Sequence, residues 1–172
     1  MTKGVNVAAL NTMHQTPQAN GMLRIAFELP RDPDDPDWPP SSAETMWASR
    51  VGADVAIIMN VPFYVRELSY GDTVVYRVGA TASVYEFERI LKRGGHSTYR
   101  ILFTGAKGQE AFAQWWLLLE EIGCTYERAD DDLVAIDVPP GVDVAAVYRI
   151  LEEGERQDVW GFEEGYYFTQ MA

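Results

Sequence analysis

Acid–base chemistry near neutral pH depends first on histidine, and this sequence contains two. His14 falls in a polar stretch without periodicity, so we expect a solvated side chain there. His96 follows Gly94 and Gly95 and precedes Arg100, and a glycine pair in this position can expose backbone N–H groups to an anion. A turn in which His96 and Arg100 bond to local carbonyl groups is the alternative interpretation, and the sequence leaves both open.

The other residues that could act as nucleophiles or metal ligands do not show the spacing of a catalytic or metal site. The single cysteine, Cys124, has no histidine near it and follows Gly123, so a half-buried structural thiol is expected. One cysteine and two distant histidines give no transition-metal spacing, and the run from Asp130 to Asp132 lacks the glycine and terminal glutamate of a calcium loop. Nucleophile-elbow, phosphate-loop and dinucleotide motifs are missing as well. The sequence therefore predicts no metal, no cofactor and no catalytic residue.

The charge is strongly acidic and unevenly distributed. Twenty-six Asp and Glu against fourteen Lys and Arg give a net charge of −12, and residues 123–172 hold twelve acidic and three basic residues. Such a surface repels nucleic acid and anionic lipid and attracts cationic partners, although it can also serve solubility alone. The acidic residues that we expect to contact a partner are Asp130, Asp131, Asp132, Glu152, Glu153, Glu155, Glu163 and Glu164.

Aromatic residues make up 12% of the chain, and most should be core. Trp115 and Trp116 are adjacent on an expected helix, so one of them should cover a seam between the two halves. Trp47 and Phe63 lie in apolar strand contexts and are predicted to be buried. Any exposed aromatic side chains among dense carboxylates would suit a protein partner with a basic face.

The elements that position these residues divide the chain into a loose leader (1–21) and two halves. Residues 22–95 alternate apolar and polar positions between turn signals, which predicts a mostly β subdomain, either a small β-barrel or a curled antiparallel sheet. The strands are expected near residues 23–29, 44–49, 54–59, 73–78 and 84–91. The Asp- and Pro-rich residues 31–42 should form an exposed loop.

Residues 96–172 change to a β-α-β-β-α-β order, which is typical of a ferredoxin-like unit and places the chain in the α+β class. Helical spacing predicts one helix over 109–122 that ends at Gly123, and a second that begins after Asp143 and ends at Gly154. No apolar run is long enough to span a membrane, and the single cysteine fits the reducing cytoplasm.

Several short segments, in order and spacing, resemble a bacterial family catalogued as domain of unknown function 4265. The segments that carry the resemblance are Glu44-x-x-Trp47-Ala48, Asn60-Val61-Pro62-Phe63, Leu68-Ser69-Tyr70-Gly71-Asp72-x-Val74, Gly95-His96-Ser97-Thr98-x-Arg100, Asp137-Val138-Pro139 and Trp160-Gly161-Phe162-Glu163-Glu164. The resemblance covers roughly residues 22–165 and supports the boundaries of the two halves. It implies no activity and no catalytic residue.

Three functions fit these observations. The leading hypothesis is a cytoplasmic, non-enzymatic protein-binding domain, such as an acidic immunity or inhibitor protein that neutralises a basic partner. The alternative is a small enzyme or ligand-binding domain that uses a groove between the halves, and the third is an accessory piece of a larger assembly. The groove would be lined by Asn60, Tyr64, Asp72, His96 and Arg100.

Overall fold

A computed structural model describes residues 21–80 and 84–169 of the chain. It contains two β-sheets, of five and four strands, and two helices, so the mixed α+β class is confirmed. Except for Gly21, the predicted leader lies outside the described residues, and so does His14.

The first sheet is built by the N-terminal half, and its strands follow each other in chain order as antiparallel neighbours. Its first and last strands also pair in parallel at Ile25–Tyr85 and Ala26–Glu86, so the sheet closes on itself. Each predicted strand of this half is present within two residues of its expected bounds. The strands are β1 (Met22–Glu28), β2 (Ala43–Arg50), β3 (Val55–Ile58), β4 (Thr73–Val78) and β5 (Tyr85–Lys92).

The second sheet follows, and its element order β-α-β-β-α-β agrees with the prediction. The elements are β6 (Ser97–Phe103), α1 (Gly105–Glu121), β7 (Thr125–Arg128), β8 (Leu133–Val138), α2 (Val144–Arg156) and β9 (Trp160–Tyr166). Across the sheet the strands lie in the order β7-β8-β6-β9, and all neighbours are antiparallel. Both helices pack on one face of this sheet, and loops of the first half cover part of the other face.

The sequence predicts which residues cap the two helices, and the structure agrees for two of the three. Gly123 follows α1 with φ +103°, a conformation that glycine adopts without strain, and Asp143 accepts hydrogen bonds from the first-turn N–H groups of α2, so both predictions are confirmed. The prediction that Gly154 ends α2 is wrong, because the helix continues to Arg156. Gly154 is buried inside the helix, where a Cβ would lie 2.3 Å from the Trp160 ring, so its role is to let that ring pack against the helix backbone.

The two adjacent tryptophans of α1 both belong to the core of the second half. Trp116 is buried against Phe112 and Tyr126, while the partly buried Trp115 meets the Trp160 ring edge-on at 5.6 Å between centroids. The expectation that one of them covers a seam between the halves is therefore wrong. Adjacent helical positions can both reach the core here because Trp160 extends it around the helix.

Candidate functional site

The loop of residues 59–72, between β3 and β4, lies against the second sheet and carries three of the predicted groove residues. We call its contact with that sheet the seam. Within the seam the Ser69 hydroxyl meets the Thr98 hydroxyl at 2.8 Å, and the Glu67 N–H donates to the Gly165 carbonyl at 2.9 Å. The loop is thereby held by buried polar contacts.

Arg100 is the central side chain of the seam and is only 2% exposed. It donates to the Glu163 carboxylate at 2.7 Å, to the Pro62 carbonyl at 3.4 Å, and to the Val65 carbonyl. The guanidinium thus ties the loop to β9. The expectation that Arg100 lines a ligand groove is wrong, because its three bonds and its burial leave it inaccessible.

Asp72 is fully buried and organises the turn that ends the same loop. Its carboxylate accepts the Ser69 N–H at 3.1 Å, the Gly94 N–H at 2.8 Å and the Arg93 guanidinium at 2.9 Å. Gly94 is required here because a Cβ would lie 2.4 Å from the carbonyl carbon of Gly71. The glycine pair therefore allows the two backbone segments to approach closely. The Gly94 N–H donates to the Asp72 carboxylate and is not available to an external anion.

His96 is half-buried, and its Nδ1 lies 2.8 Å from the Asp137 carboxylate on β8. Its ring packs 5.2 Å from that of Tyr70, between centroids, and the edge of the ring approaches Gly71. The predicted groove residues include His96 but not Asp137, since the two are 41 residues apart. A carboxylate can orient an imidazole in this way, yet here the pair also forms part of the seam.

Asn60 and Tyr64 lie apart from Asp72 and His96, at an open cavity of about 360 Å³ that we call the Trp47 cavity. Asn60 accepts the Trp47 N–H at 2.8 Å, which joins the loop to β2. The predicted groove residues therefore do not form one groove. The side chains that line the cavity are those of Ser41, Ala43, Glu44, Thr45, Trp47, Met59, Asn60, Phe63, Tyr64 and Glu127.

Trp47 is 36% exposed at this cavity, so the prediction that it is buried is wrong. Its neighbours Met46 and Ala48 point into the core of the first sheet, and alternation along a strand turns the residue between them outward. On its other side the Arg24 guanidinium lies 5.9 Å from the ring. Phe63 is half-buried and lines the same cavity.

Two carboxylates of the cavity have different environments. Both oxygens of Glu44 are occupied, because they accept the N–H groups of Phe63, Tyr64 and Val65 at 2.8 Å. Glu127, on β7, accepts only the Val61 N–H, at 3.1 Å, and forms no ion pair within the described part of the chain. Its second oxygen has no hydrogen-bond donor among those residues.

The pKa of Glu127 is raised to about 7, chiefly by burial and further by the nearby Asp137 and Glu44 carboxylates. Burial also raises the pKa of Tyr64, with added contributions from the Asp130 and Glu44 carboxylates and an opposing one from Arg100. Two carboxylates line the cavity, and among the described residues no Lys, Arg or His does. Sequence reasoning missed Glu127, because the contact that places it in the cavity joins it to Val61, 66 residues away.

A larger cavity of about 760 Å³ opens between β1, β5 and the loop of residues 31–42. Its three arginines are all engaged: Arg31 donates to the Pro39 carbonyl, Arg66 pairs with Glu163, and Arg77 pairs with Glu86. Aromatic side chains complete its wall. Since each of these arginines already has an internal partner, none is left to bind an anionic ligand.

The predicted partner-binding acids divide into two groups. Glu153 pairs with Arg156, and Glu163 pairs with Arg66 and Arg100, while the contact of these two with a partner stays a prediction. Within the described residues the remaining six form no ion pair, and they are all exposed. They are Asp130, Asp131, Asp132, Glu152, Glu155 and Glu164. Asp130 also closes the β7–β8 hairpin by accepting two backbone N–H groups.

Three further expectations concern metal, thiol and membrane chemistry. No cluster of three or more possible metal ligands occurs in residues 21–80 and 84–169. Cys124 is buried and burial raises the pKa of its thiol to about 12, which agrees with a structural role. Neither helix that the structure describes has the length and apolar character needed to cross a bilayer.

Comparisons with known proteins support the fold and one family. The family model described as "Domain of unknown function (DUF4265)" matches residues 44–162. The crystal structure of a hypothetical protein from Neisseria gonorrhoeae superposes with a TM-score of 0.65 at 15% identity, over 87% of this chain and 96% of that one, which shows a shared fold. No curated protein matches the chain.

Proposed function

Because the chain belongs to the family described as domain of unknown function 4265, whose description gives no activity, we propose a function from the site itself. The protein is a non-enzymatic binding domain for a protein with a basic surface. The observation that carries this proposal is Trp47, partly exposed at a cavity that contains Glu44 and Glu127 and, among the described residues, no Lys, Arg or His. An aromatic ring beside carboxylates is a contact surface for cations.

The hairpin acids support the same proposal because they adjoin the cavity. Asp130 lies close enough to Tyr64 to raise the pKa of that phenol, and Tyr64 lines the cavity. Asp131 and Asp132 follow it at the exposed tip of the hairpin. Unpaired carboxylates around a contact site accelerate the approach of a basic partner by long-range attraction.

The internal bonding of the groove residues weighs against the small-enzyme alternative. Arg100 and Asp72 are buried and fully engaged, and His96 is bonded to Asp137. These side chains hold the seam together instead of presenting reactive groups to a substrate. An immunity or inhibitor role is the special case of our proposal in which the basic surface is the active site of another protein.

The arrangement of the two halves is part of the proposal. We assign residues 22–95 to a small β-barrel, supported by the closing β1–β5 pairs, and residues 96–172 to a ferredoxin-like unit, supported by the strand order β7-β8-β6-β9. The contact face then lies where the hairpin of the second half meets the loop of the first. We place the interaction in the cytoplasm, where a single buried thiol stays reduced.

The test compares two variants with the same change in charge. In the first, Asp130, Asp131 and Asp132 are replaced by Asn, which preserves the hairpin bonds because an amide oxygen can still accept them. In the control, the exposed Glu88, Glu120 and Glu121 are replaced by Gln, far from the cavity lining. A partner retained by the wild-type protein from host extract is identified by mass spectrometry and its binding rates are measured by stopped flow.

We expect the hairpin variant to associate several-fold more slowly than both the wild type and the control at low salt. At about 0.3 M salt the three proteins should converge, since screening removes the long-range attraction. Dissociation rates should change less. Equal association rates for all three proteins at low salt would contradict the proposal.

A further inference from the structure

The Trp47 cavity has the size and wall chemistry of a site for one side chain. Its volume of about 360 Å³ is at the lower end of ligand sites, and its mouth is open at Trp47. Trp47, Phe63 and Tyr64 contribute aromatic surface, on which the methylene groups of a long side chain can pack. A cation that enters between these rings gains cation–π attraction as well.

Among the described residues, no basic side chain lines the cavity to balance its two carboxylates. Both carboxylate oxygens of Glu44, on β2, accept hydrogen bonds from backbone N–H groups of the loop. One carboxylate oxygen of Glu127, on β7, does the same. The nearby Asp137, on β8, is bonded to His96. Within the described residues no cation pairs with Glu127, so its second oxygen can accept a charged donor.

The form of this acceptor favours one cation. A guanidinium binds best when both oxygens of a carboxylate accept its parallel N–H groups, and the Val61 N–H already uses one lone pair of one Glu127 oxygen, which makes that two-oxygen arrangement less favourable. An ammonium group is a compact point charge and needs only one oxygen. Lysine is the side chain that combines such a group with a long apolar stem.

We propose that the Trp47 cavity binds the side-chain ammonium of a lysine on the partner protein, with the second carboxylate oxygen of Glu127 as its counter-ion. This inference rests on the proposed function, because it assumes a basic protein partner. Its chemistry is nevertheless testable without that partner, through a blocked lysine as the probe.

Binding should strengthen as the solution pH rises through the pKa of Glu127. Burial, Asp137 and Glu44 keep much of this carboxyl protonated near pH 7, whereas the ammonium binds its ionised form. The other groups that face Glu127 are the Val61 N–H, which favours the ionised form, and Tyr70 from the loop. Lysine stays charged throughout this range.

The experiment titrates the full chain with Nα-acetyl-lysine methylamide and follows the Trp47 indole N–H signal by NMR, after assignment with Trp47→Phe. The parallel probes are the blocked Nε-acetyl-lysine, which lacks the charge, and blocked arginine. We expect saturable shifts with lysine, weaker binding of arginine, and none with acetyl-lysine. Affinity should rise severalfold from about pH 6 to about pH 8, because Glu127 ionises near 7.

Glu127→Gln should weaken lysine binding about tenfold and remove its pH dependence, while Glu121→Gln, an exposed control on α1, should leave both unchanged. Melting curves of both variants verify the fold. Equal binding of acetyl-lysine, or unchanged binding by Glu127→Gln, would overturn the inference.

The partner experiment separates this inference from the proposed function. If Glu127→Gln binds the captured basic partner as tightly as the wild type does, the lysine site is wrong while the binding function stands. If blocked lysine binds as expected but no basic protein shows salt-sensitive association, the binding function is wrong. In that case the cavity is a site for free alkylammonium compounds, and the partner lysine is refuted with it.

Discussion

The partly buried carboxyl of Glu127 should make the free energy of unfolding depend measurably on pH. Its pKa rises from the ordinary 4.5 to about 7 in the folded protein, mainly because burial disfavours the charged form. Between these two values the folded state holds a proton that the unfolded state has released. The free energy of unfolding must therefore fall as the pH rises through this window, and the loss is complete above the folded-state pKa.

The size of the effect follows from the same two values. At about 1.4 kcal/mol for each pKa unit, the shift corresponds to a loss of about 3 kcal/mol between pH 4.5 and pH 7. Glu127→Gln keeps the shape of the side chain and cannot ionise. The variant should match the wild type near pH 4.5 and exceed its stability by up to about 3 kcal/mol at pH 8.

Urea unfolding at a series of pH values measures this difference, since the other titrating groups contribute equally to both proteins. Glu121→Gln, which replaces an exposed carboxylate at the end of α1, should give a profile parallel to that of the wild type. If the Glu127→Gln profile is also parallel, Glu127 is not desolvated and the argument for the cavity loses its electrostatic basis.

Three substitutions test the packing and the seam by urea unfolding. Gly154→Ala should destabilise the protein by about 1–3 kcal/mol, because the new Cβ would meet the Trp160 ring, and an unchanged midpoint would mean that the ring moves freely. Arg100→Met should cost about 2–4 kcal/mol because it leaves two loop carbonyls without their buried donor and leaves the partly exposed Glu163 with Arg66 alone. Thr125→Val should be neutral or stabilising by about 1 kcal/mol, since the buried Thr125 hydroxyl has no partner among the described residues; a clear loss would reveal one.

Strand positions were predictable because the first half alternates apolar and polar residues over short runs. In β1 the buried Leu23, Ile25 and Phe27 occupy every second position, which a pattern of period two identifies directly. The same rule, applied strictly, would have turned Trp47 outward between Met46 and Ala48. The apolar character of Trp47 predicts burial, whereas its register in β2 turns it toward solvent, and register prevails.

The site was harder to predict because its contacts join distant parts of the chain. Val61 and Glu127 are 66 residues apart, and Arg100 and Glu163 are 63 apart. Nothing local distinguishes a glutamate that enters a cavity from one on the surface when the chain has 26 acidic residues. The packing of the two sheets determines which carboxylates are desolvated, and no single segment of the sequence encodes that packing.

The segments that carry the family resemblance have a physical explanation in the seam. Glu44 holds the loop backbone, Asn60 joins it to β2, Asp72 forms its turn, and Arg100 fixes it to the second sheet. Asp137 positions His96 at the same junction. In this chain, the residues of those segments therefore hold the two halves together in one geometry. Because that geometry forms the Trp47 cavity between loop and hairpin, the residues of the seam act by positioning the site. The carboxylates at its border that form no ion pair among the described residues are the ones that remain to meet a partner.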